Sequence, residues 1–164
     1  MPEGARPSFP RVYGIRDDEE GLLGWSWAAE RLLRARNYWV TTTRPDGSPH
    51  AMPVWGVWLE DAFYFSSSPE SRKARNLASN PATVVHLESG DEVVILEGDA
   101  AHVTDGALLQ RLSEDYSRKY ELEVSFALDG RPLFIVSPRV AYAWQERDYP
   151  ATATRFEFAS RESS

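Results

Sequence analysis

Cysteine is absent from the 164 residues, which removes disulfides, thiolate metal sites and cysteine nucleophiles. Histidine is scarce: His50, His86 and His102 show no metal-ligand spacing, which argues against a zinc site. No apolar run approaches the roughly 20 residues of a membrane span. The N-terminus shows no charged-then-apolar signal pattern, so the chain is expected to be cytoplasmic, with no membrane partner. Positive charge is short as well. The net charge of −7 argues against a general nucleic-acid binder, which needs a basic footprint to engage phosphates. Lysine is the rarest of the charged residues: of 18 basic side chains only Lys73 and Lys119 are lysines. There is no internal repeat and no low-complexity segment.

What is present fits one globular domain rich in β-structure, since 42% of the residues are hydrophobic and six are Trp. Residues 1–24, with three prolines, four glycines and the acidic run Asp17-Asp18-Glu19-Glu20, predict an irregular arm. Residues 25–159 are expected to form the domain and residues 160–164 a frayed tail. Helical spacing marks Trp25 to Arg36. Tyr38 to Thr43 is a β-branched and aromatic strand; Pro45-Asp46-Gly47-Ser48 turns it into a return strand from Pro49 to Leu59. Phe63 to Ser67, Ala82 to Leu87 and Glu92 to Val103 read as further strands, with Gly98 as a candidate bulge. Thr104 or Asp105 caps a helix from about Gly106 to Tyr120, whose Leu108, Leu109, Leu112 and Tyr116 share one face. Glu121 to Gly130 is a loop, and strands at Leu133 to Val136, Val140 to Gln145 and Thr152 to Phe158 complete the chain. Short strands in meander order with few helices predict an antiparallel barrel, with a β-sandwich as the other architecture of this composition.

One stretch carries chemistry. An aromatic strand ends in Ser66-Ser67-Ser68, Pro69-Glu70 breaks it, and Ser71 to Ser79 forms a short helix stopped by Asn80-Pro81. Serines and the cations Arg72 and Lys73 thus meet at a helix N-terminus, where free backbone N–H groups favour an anion such as a phosphate. The plain alternative is a solvated amphipathic face. Both readings are open on these residues alone.

Several motifs fall in fixed order: Tyr38-Trp39-Val40-Thr41-Thr42, Pro45-Asp46-Gly47-Ser48-Pro49-His50, Met52-Pro53-Val54-Trp55, Phe63-Tyr64-Phe65-Ser66, Ser71-Arg72-Lys73-Ala74-Arg75-Asn76-Leu77 and Asn80-Pro81. This order resembles the flavin/deazaflavin split β-barrel superfamily, the pyridoxamine-phosphate-oxidase-like proteins. The resemblance is strong over the central sixty residues and weaker towards Ala153-Thr154-Arg155-Phe156. It implies a mainly β, FMN-binding-type split antiparallel barrel with a few helices. It further implies a homodimer with two cofactor sites at the subunit interface. The Arg-x-His-type substrate signature of the vitamin B6 oxidases is missing from Thr152 to Phe158. The Met52-Pro53-Val54-Trp55 strand and the Ala-Thr-Arg-Phe ending look like the branch that uses the deazaflavin F-420.

On that resemblance the cofactor is F-420 or FMN. The residues expected to bind it are His50, Met52, Pro53, Val54, Trp55, Ser66, Ser67, Ser71, Arg72, Lys73 and Asn76. The ring would lie against His50 to Trp55 and the phosphate against the serines, Arg72 and Lys73. No nucleophile–base–acid set stands out, as expected if the cofactor carries the redox chemistry. Three functions follow. The first is hydride transfer from reduced F-420 to a small planar organic acceptor. The second is an FMN-dependent oxidase or reductase, and the third a non-catalytic carrier of flavin, deazaflavin or haem.

Overall fold

The computed structural model describes residues 1–159; the expected tail at 160–164 lies outside the described residues. In chain order the strands are β1 (Gly4–Ala5), β2 (Tyr38–Thr43), β3 (Pro49–Val54), β4 (Val57–Leu59), β5 (Ala62–Ser66), β6 (Ala82–His86), β7 (Glu92–His102), β8 (Leu133–Gln145) and β9 (Thr154–Glu157). Three α-helices accompany them: α1 (Trp25–Arg34), α2 (Arg72–Ser79) and α3 (Gly106–Tyr120). The helix starts are capped as the sequence predicts. Ser71 Oγ accepts from Ala74 N–H at 3.2 Å, and Asp105 Oδ1 accepts from Leu108 N–H at 2.7 Å.

The sheet is antiparallel in the order β1-β9-β8-β7-β6-β2-β3. Strand β8 organises it. Its whole length pairs with β7, from Glu92↔Gln145 to His102↔Phe134. On its other edge the first half pairs with β5 and the second half with β9. Strand β4 adds to β5 alone. One edge thus serves two separate strand sets, and the sheet curls into the expected split barrel.

Two expectations about strands give way to tertiary packing. The two strands expected around Ser137-Pro138-Arg139 are one continuous β8, because Pro138 faces Gly98 where the β7 register shifts between Glu97 and Gly98. A proline is tolerated at such a bulge, where its missing N–H breaks no ladder bond. A Cβ on Gly98 would stand 2.1 Å from the Ser137 carbonyl oxygen. Conversely, the return strand expected from Pro49 to Leu59 breaks at Trp55-Gly56. Its first half pairs with β2 and its second half with β5. Gly56 sits so close to β5 that a Cβ would lie 2.3 Å from the Phe63 ring.

Strands β4 and β5 are buried on both faces, and alternation divides them between two cores. Trp58, Phe63 and Phe65 face the barrel core with Tyr38, Val40, Leu96, Val136 and the Trp25, Ala28 and Leu32 stripe of α1. Val57, Ala62 and Tyr64 face a second core built by Leu112, Tyr116 and Tyr120 of α3, with Phe126 and Leu133. The arm is mostly irregular, as expected, yet tied to its own domain: β1 pairs with β9 and Leu23 N–H bonds Thr154 Oγ1 at 2.9 Å. The Arg6 guanidinium reaches the carbonyls of Asp18, Glu20, Ala151 and Ala153. Among the described residues no helix is long and apolar enough to cross a membrane.

Candidate functional site

A cleft of about 300 Å³ opens where the ends of β3 and β5 meet α2 and α3. It is lined by Pro53, Val54, Trp55, Ser66 and Lys73 on one side and by Tyr116, Leu122, Val124, Phe126 and Arg131 on the other. Because β3 ends at Val54, strict side-chain alternation stops there, and Pro53, Val54 and Trp55 all reach the same cleft. Strand β3 closes the sheet order at one end, where a proline can sit without costing an inner ladder bond.

The chemistry concentrates at the β5–α2 junction. Lys73, half-buried in the first turn of α2, forms neither a hydrogen bond nor an ion pair among the described residues. Burial pushes its ammonium below the usual lysine range, since a cation loses hydration there without gaining a partner. Ser66 Oγ is buried without a hydrogen-bond partner, as is His50 Nδ1. His50 is held below its ordinary pKa by burial first and then by the charges of Arg44, Lys73 and Arg72. The cleft lining contains no carboxylate. An unpaired half-buried cation and an orphaned buried hydroxyl are costly unless an anion satisfies both. The residues present therefore fit a phosphate-bearing ring, with its charge at Lys73 and Ser66 and its plane among Trp55, Tyr116 and Phe126.

The remaining candidates lie elsewhere or are already engaged. Ser67 Oγ and Ser71 Oγ bond each other at 2.8 Å, and Ser71 also caps α2. Asn76 is fully buried and donates to Thr42 Oγ1 at 3.0 Å, which braces α2 against β2, while its Oδ1 is left without a partner. Arg72 is exposed and does not line the cleft. Met52, 44% exposed on β3, is likewise outside it.

The far wall was not legible beforehand. Tyr116 belongs to the apolar face of α3, and Leu122, Val124, Phe126 and Arg131 lie in or beside the segment whose sequence reads as a loop. Leu122, Val124 and Phe126 do alternate through Glu121 to Gly130, which is the signal that finds them. A hydrogen-bonded clamp stands behind the cleft. Tyr120 OH accepts from Gly56 N–H at 2.8 Å and sits 2.7 Å from the Arg36 carbonyl and 2.9 Å from that of Gly56. Lys119 Nζ donates to the Gly56 carbonyl and to Tyr38 OH, both at 2.8 Å, and Tyr38 OH in turn donates to the Leu32 carbonyl. The Trp55 and Tyr120 rings stack at 4.5 Å and 9°. The end of α3 thus holds the Trp55-Gly56 bend that forms one cleft wall. Burial lowers the Lys119 pKa to about 8.

A larger open groove of about 1400 Å³ runs between the arm and the β7–β8 bulge, among Glu3, Asp99, Arg139, Arg155 and Glu157. Its arginines are paired, Arg139 with Asp99 and Arg155 with Glu157.

The family model described as pyridoxamine 5′-phosphate oxidase matches residues 28–145, well over half of the chain. No curated protein matches it. Among solved structures, the chain is similar to a conserved hypothetical protein from Mycobacterium tuberculosis at 22% identity and a TM-score of 0.68. That alignment covers 76% of this chain and 86% of the other. A structure named as an F-420 reductase aligns at 24% identity and a TM-score of 0.54, covering 68% of this chain and 94% of its own. The heme storage protein of Vibrio cholerae aligns at 18% identity and a TM-score of 0.53, covering 70% and 86%. At these identities the likenesses concern the fold.

Proposed function

We infer that this chain, which belongs to the pyridoxamine 5′-phosphate oxidase family, is an oxidoreductase that binds a phosphate-bearing ring cofactor in the Trp55–Lys73 cleft. The observation that carries this is the unpartnered Lys73 ammonium beside the orphaned Ser66 hydroxyl, at the rim of an aromatic cleft without carboxylates. F-420 is the favoured cofactor, and FMN, which bears the same phosphate, is the second reading.

When bound, the cofactor supplies hydride chemistry to a small planar acceptor. The chain's residues bind, orient and exclude water. Lys73 would neutralise the phosphate and Ser66 Oγ would donate a hydrogen bond to it. Val54, Leu122, Val124 and Phe126 line the cleft with apolar surface that keeps water from the ring. Trp55, stacked on Tyr120, offers a flat wall parallel to a ring. We assign the homodimer to the outer face of β3, where Met52 remains 44% exposed. A second copy there would complete the acceptor pocket.

The test is titration of the purified protein with F-420, FMN, riboflavin and haem, for the native chain and Lys73→Ala. Loss of one charge-assisted contact is worth about 1.5–3 kcal/mol, or roughly 10- to 160-fold in Kd. That loss is expected for the phosphate-bearing ligands and not for riboflavin. Tight haem binding without affinity for F-420 or FMN would overturn the oxidoreductase reading in favour of a carrier. A Lys73→Ala variant with native F-420 and FMN affinity would remove the phosphate from this end of the cleft. Sedimentation equilibrium tests the dimer; a monomer at micromolar concentration would refute it.

A further inference from the structure

Helix α3 carries four hydroxyls, at Ser113, Tyr116, Ser117 and Tyr120, and three of them are engaged in the fold. Ser113 Oγ donates to the Leu109 carbonyl at 2.7 Å and accepts from Phe126 N–H at 3.0 Å. Ser117 Oγ accepts from Val124 N–H at 3.1 Å. These bonds fasten the segment after α3 back onto the helix and set Val124 and Phe126 in the far wall of the cleft. Tyr120 OH is held in the Gly56 clamp. The fourth, Tyr116 OH, forms no hydrogen bond among the described residues.

Tyr116 is only 7% exposed, yet its oxygen is not sealed off as Ser66 Oγ is, and the cavity that the residue lines is the cleft. Its ring is fixed before any ligand arrives, tilted on Tyr120 at 4.8 Å and edge-to-face with Phe126 at 5.2 Å. Burial raises the phenol above its ordinary pKa of 10.0, Tyr120 adds to the rise, and Arg131 in the cleft lining opposes it. The group therefore keeps its proton at neutral pH and stands as a donor. On the far wall it is the one neutral polar side chain, among Leu122, Val124, Phe126 and the Arg131 cation. A hydroxyl drawn out of water with nothing to bond is costly, and a ligand with an acceptor in its plane removes that cost.

We propose that Tyr116 OH donates a hydrogen bond to a carbonyl oxygen or ring nitrogen of the planar cofactor in the cleft, and so holds the reduced ring more tightly than the oxidised one. This rests on the cofactor reading above and adds to it a contact with the ring, separate from the phosphate. Reduction adds a hydride, two electrons with one proton, and the negative charge gained lies on the ring's carbonyl and nitrogen acceptors. A hydrogen bond to an acceptor that bears charge is stronger than one to a neutral acceptor. A donor already fixed in place delivers that difference without reorganising.

The experiment compares the native chain, Tyr116→Phe and Lys73→Ala. It measures Kd by fluorescence titration with oxidised FMN and F-420 and with their phosphate-free counterparts, riboflavin and the deazaflavin ribityl core. It also measures the melting temperature and the reduction potential of the bound FMN or F-420 against a reference dye. Tyr116→Phe keeps the ring and its packing, so the melting temperature should stay within about a degree or two. It should weaken each cofactor and its phosphate-free counterpart by the same factor, about three- to tenfold, whereas Lys73→Ala should spare the counterparts. It should also lower the potential of the bound cofactor by roughly 15–30 mV, which is a three- to tenfold preference for the reduced ring in a two-electron couple. Native affinity and potential in Tyr116→Phe, alongside a loss in Lys73→Ala, overturns this assignment and leaves the cleft reading standing. A loss confined to the phosphate-bearing ligands overturns it as well, since the hydroxyl would then serve the phosphate. So does weaker binding with an unchanged potential, which would make Tyr116 a packing residue. Failure of the native chain to bind either FMN or F-420 defeats the cleft reading and this assignment with it.

Discussion

Replacing Tyr120 with Phe removes one oxygen and keeps the ring that stacks on Trp55. In the native protein that oxygen accepts from Gly56 N–H at 2.8 Å and lies within donating distance of the Arg36 and Gly56 carbonyls. A hydroxyl has one proton, so it serves one carbonyl at a time. The Gly56 carbonyl keeps Lys119 as a donor at 2.8 Å, and Arg36 is exposed, so water can reach its carbonyl. The loss that nothing replaces is at Gly56 N–H, on a buried residue packed against Phe63 and Tyr64. Orphaning such a group costs about 1–3 kcal/mol. With the remaining carbonyl only partly re-satisfied, a total near 2–3 kcal/mol is expected. For a chain of this size, a shift of roughly 2–4 °C per kcal/mol puts the fall in Tm at about 4–12 °C. Urea unfolding gives the free energy and calorimetry the Tm. The same variant should bind FMN or F-420 more weakly, because the Trp55 wall is no longer pinned. A loss below about 0.5 kcal/mol would refute the clamp, since Gly56 N–H would then have found another acceptor.

Three other perturbations test separate parts of the structure. Lys119 has its folded pKa lowered from the ordinary 10.5 to about 8, so between those values the unfolded chain binds more protons and stability should rise with pH. Because the side chain is partly open to solvent, the rise should be smaller than the ~1.4 kcal/mol per pH unit of a full proton. Lys119→Met should abolish it; identical pH–stability curves for both proteins from pH 7.5 to 9.5 would contradict the burial of this cation. Gly98→Ala drives a Cβ into the backbone of Ser137 and Pro138 and should cost about 2–4 kcal/mol. Gly90→Ala, with open space around it, should stay within about 0.5 kcal/mol; equal effects at the two sites would refute the bulge argument. Arg6→Ala removes the donors to four carbonyls and should speed proteolysis within residues 7–22 at least about tenfold while the barrel survives. Unchanged cleavage there would show that β1 alone holds the arm.

Local chemistry wrote a good part of this protein plainly. The alternation of Tyr38 to Thr43, the Pro45-to-Ser48 turn, the Ser71 cap and the Leu108–Leu112–Tyr116 face each involve residues a few positions apart, and each forms as expected. The ordered motifs from Tyr38 to Pro81 carry the family and its barrel, and they bring Pro53, Val54, Trp55, Ser66 and Lys73 to one cleft. Elsewhere the pattern misled for a physical reason. Pro138 looks like a strand end, yet the β7 bulge at Gly98 absorbs its missing N–H. Pro49 to Leu59 looks like one strand, yet Gly56 must press against Phe63 and bend away.

The far half of the cleft depended on contacts that no local pattern encodes. Gly56 and Tyr120 stand 64 positions apart and Lys119 and Tyr38 81 apart, so only the packing of α3 on β4 and β5 joins them. Arg72 and Lys73 are neighbours in the chain, but one helical step turns Arg72 to solvent while Lys73 faces the cleft. Arg131 and Lys73 line one cleft because β8 pairs with β5. Residue types and short spacings offered an anion site or a solvated face at α2, and the ring-binding strand was implied by the family resemblance alone. Which charges face each other across that cleft was decided by the way the split barrel closes, because strand register, not sequence distance, sets what a side chain meets.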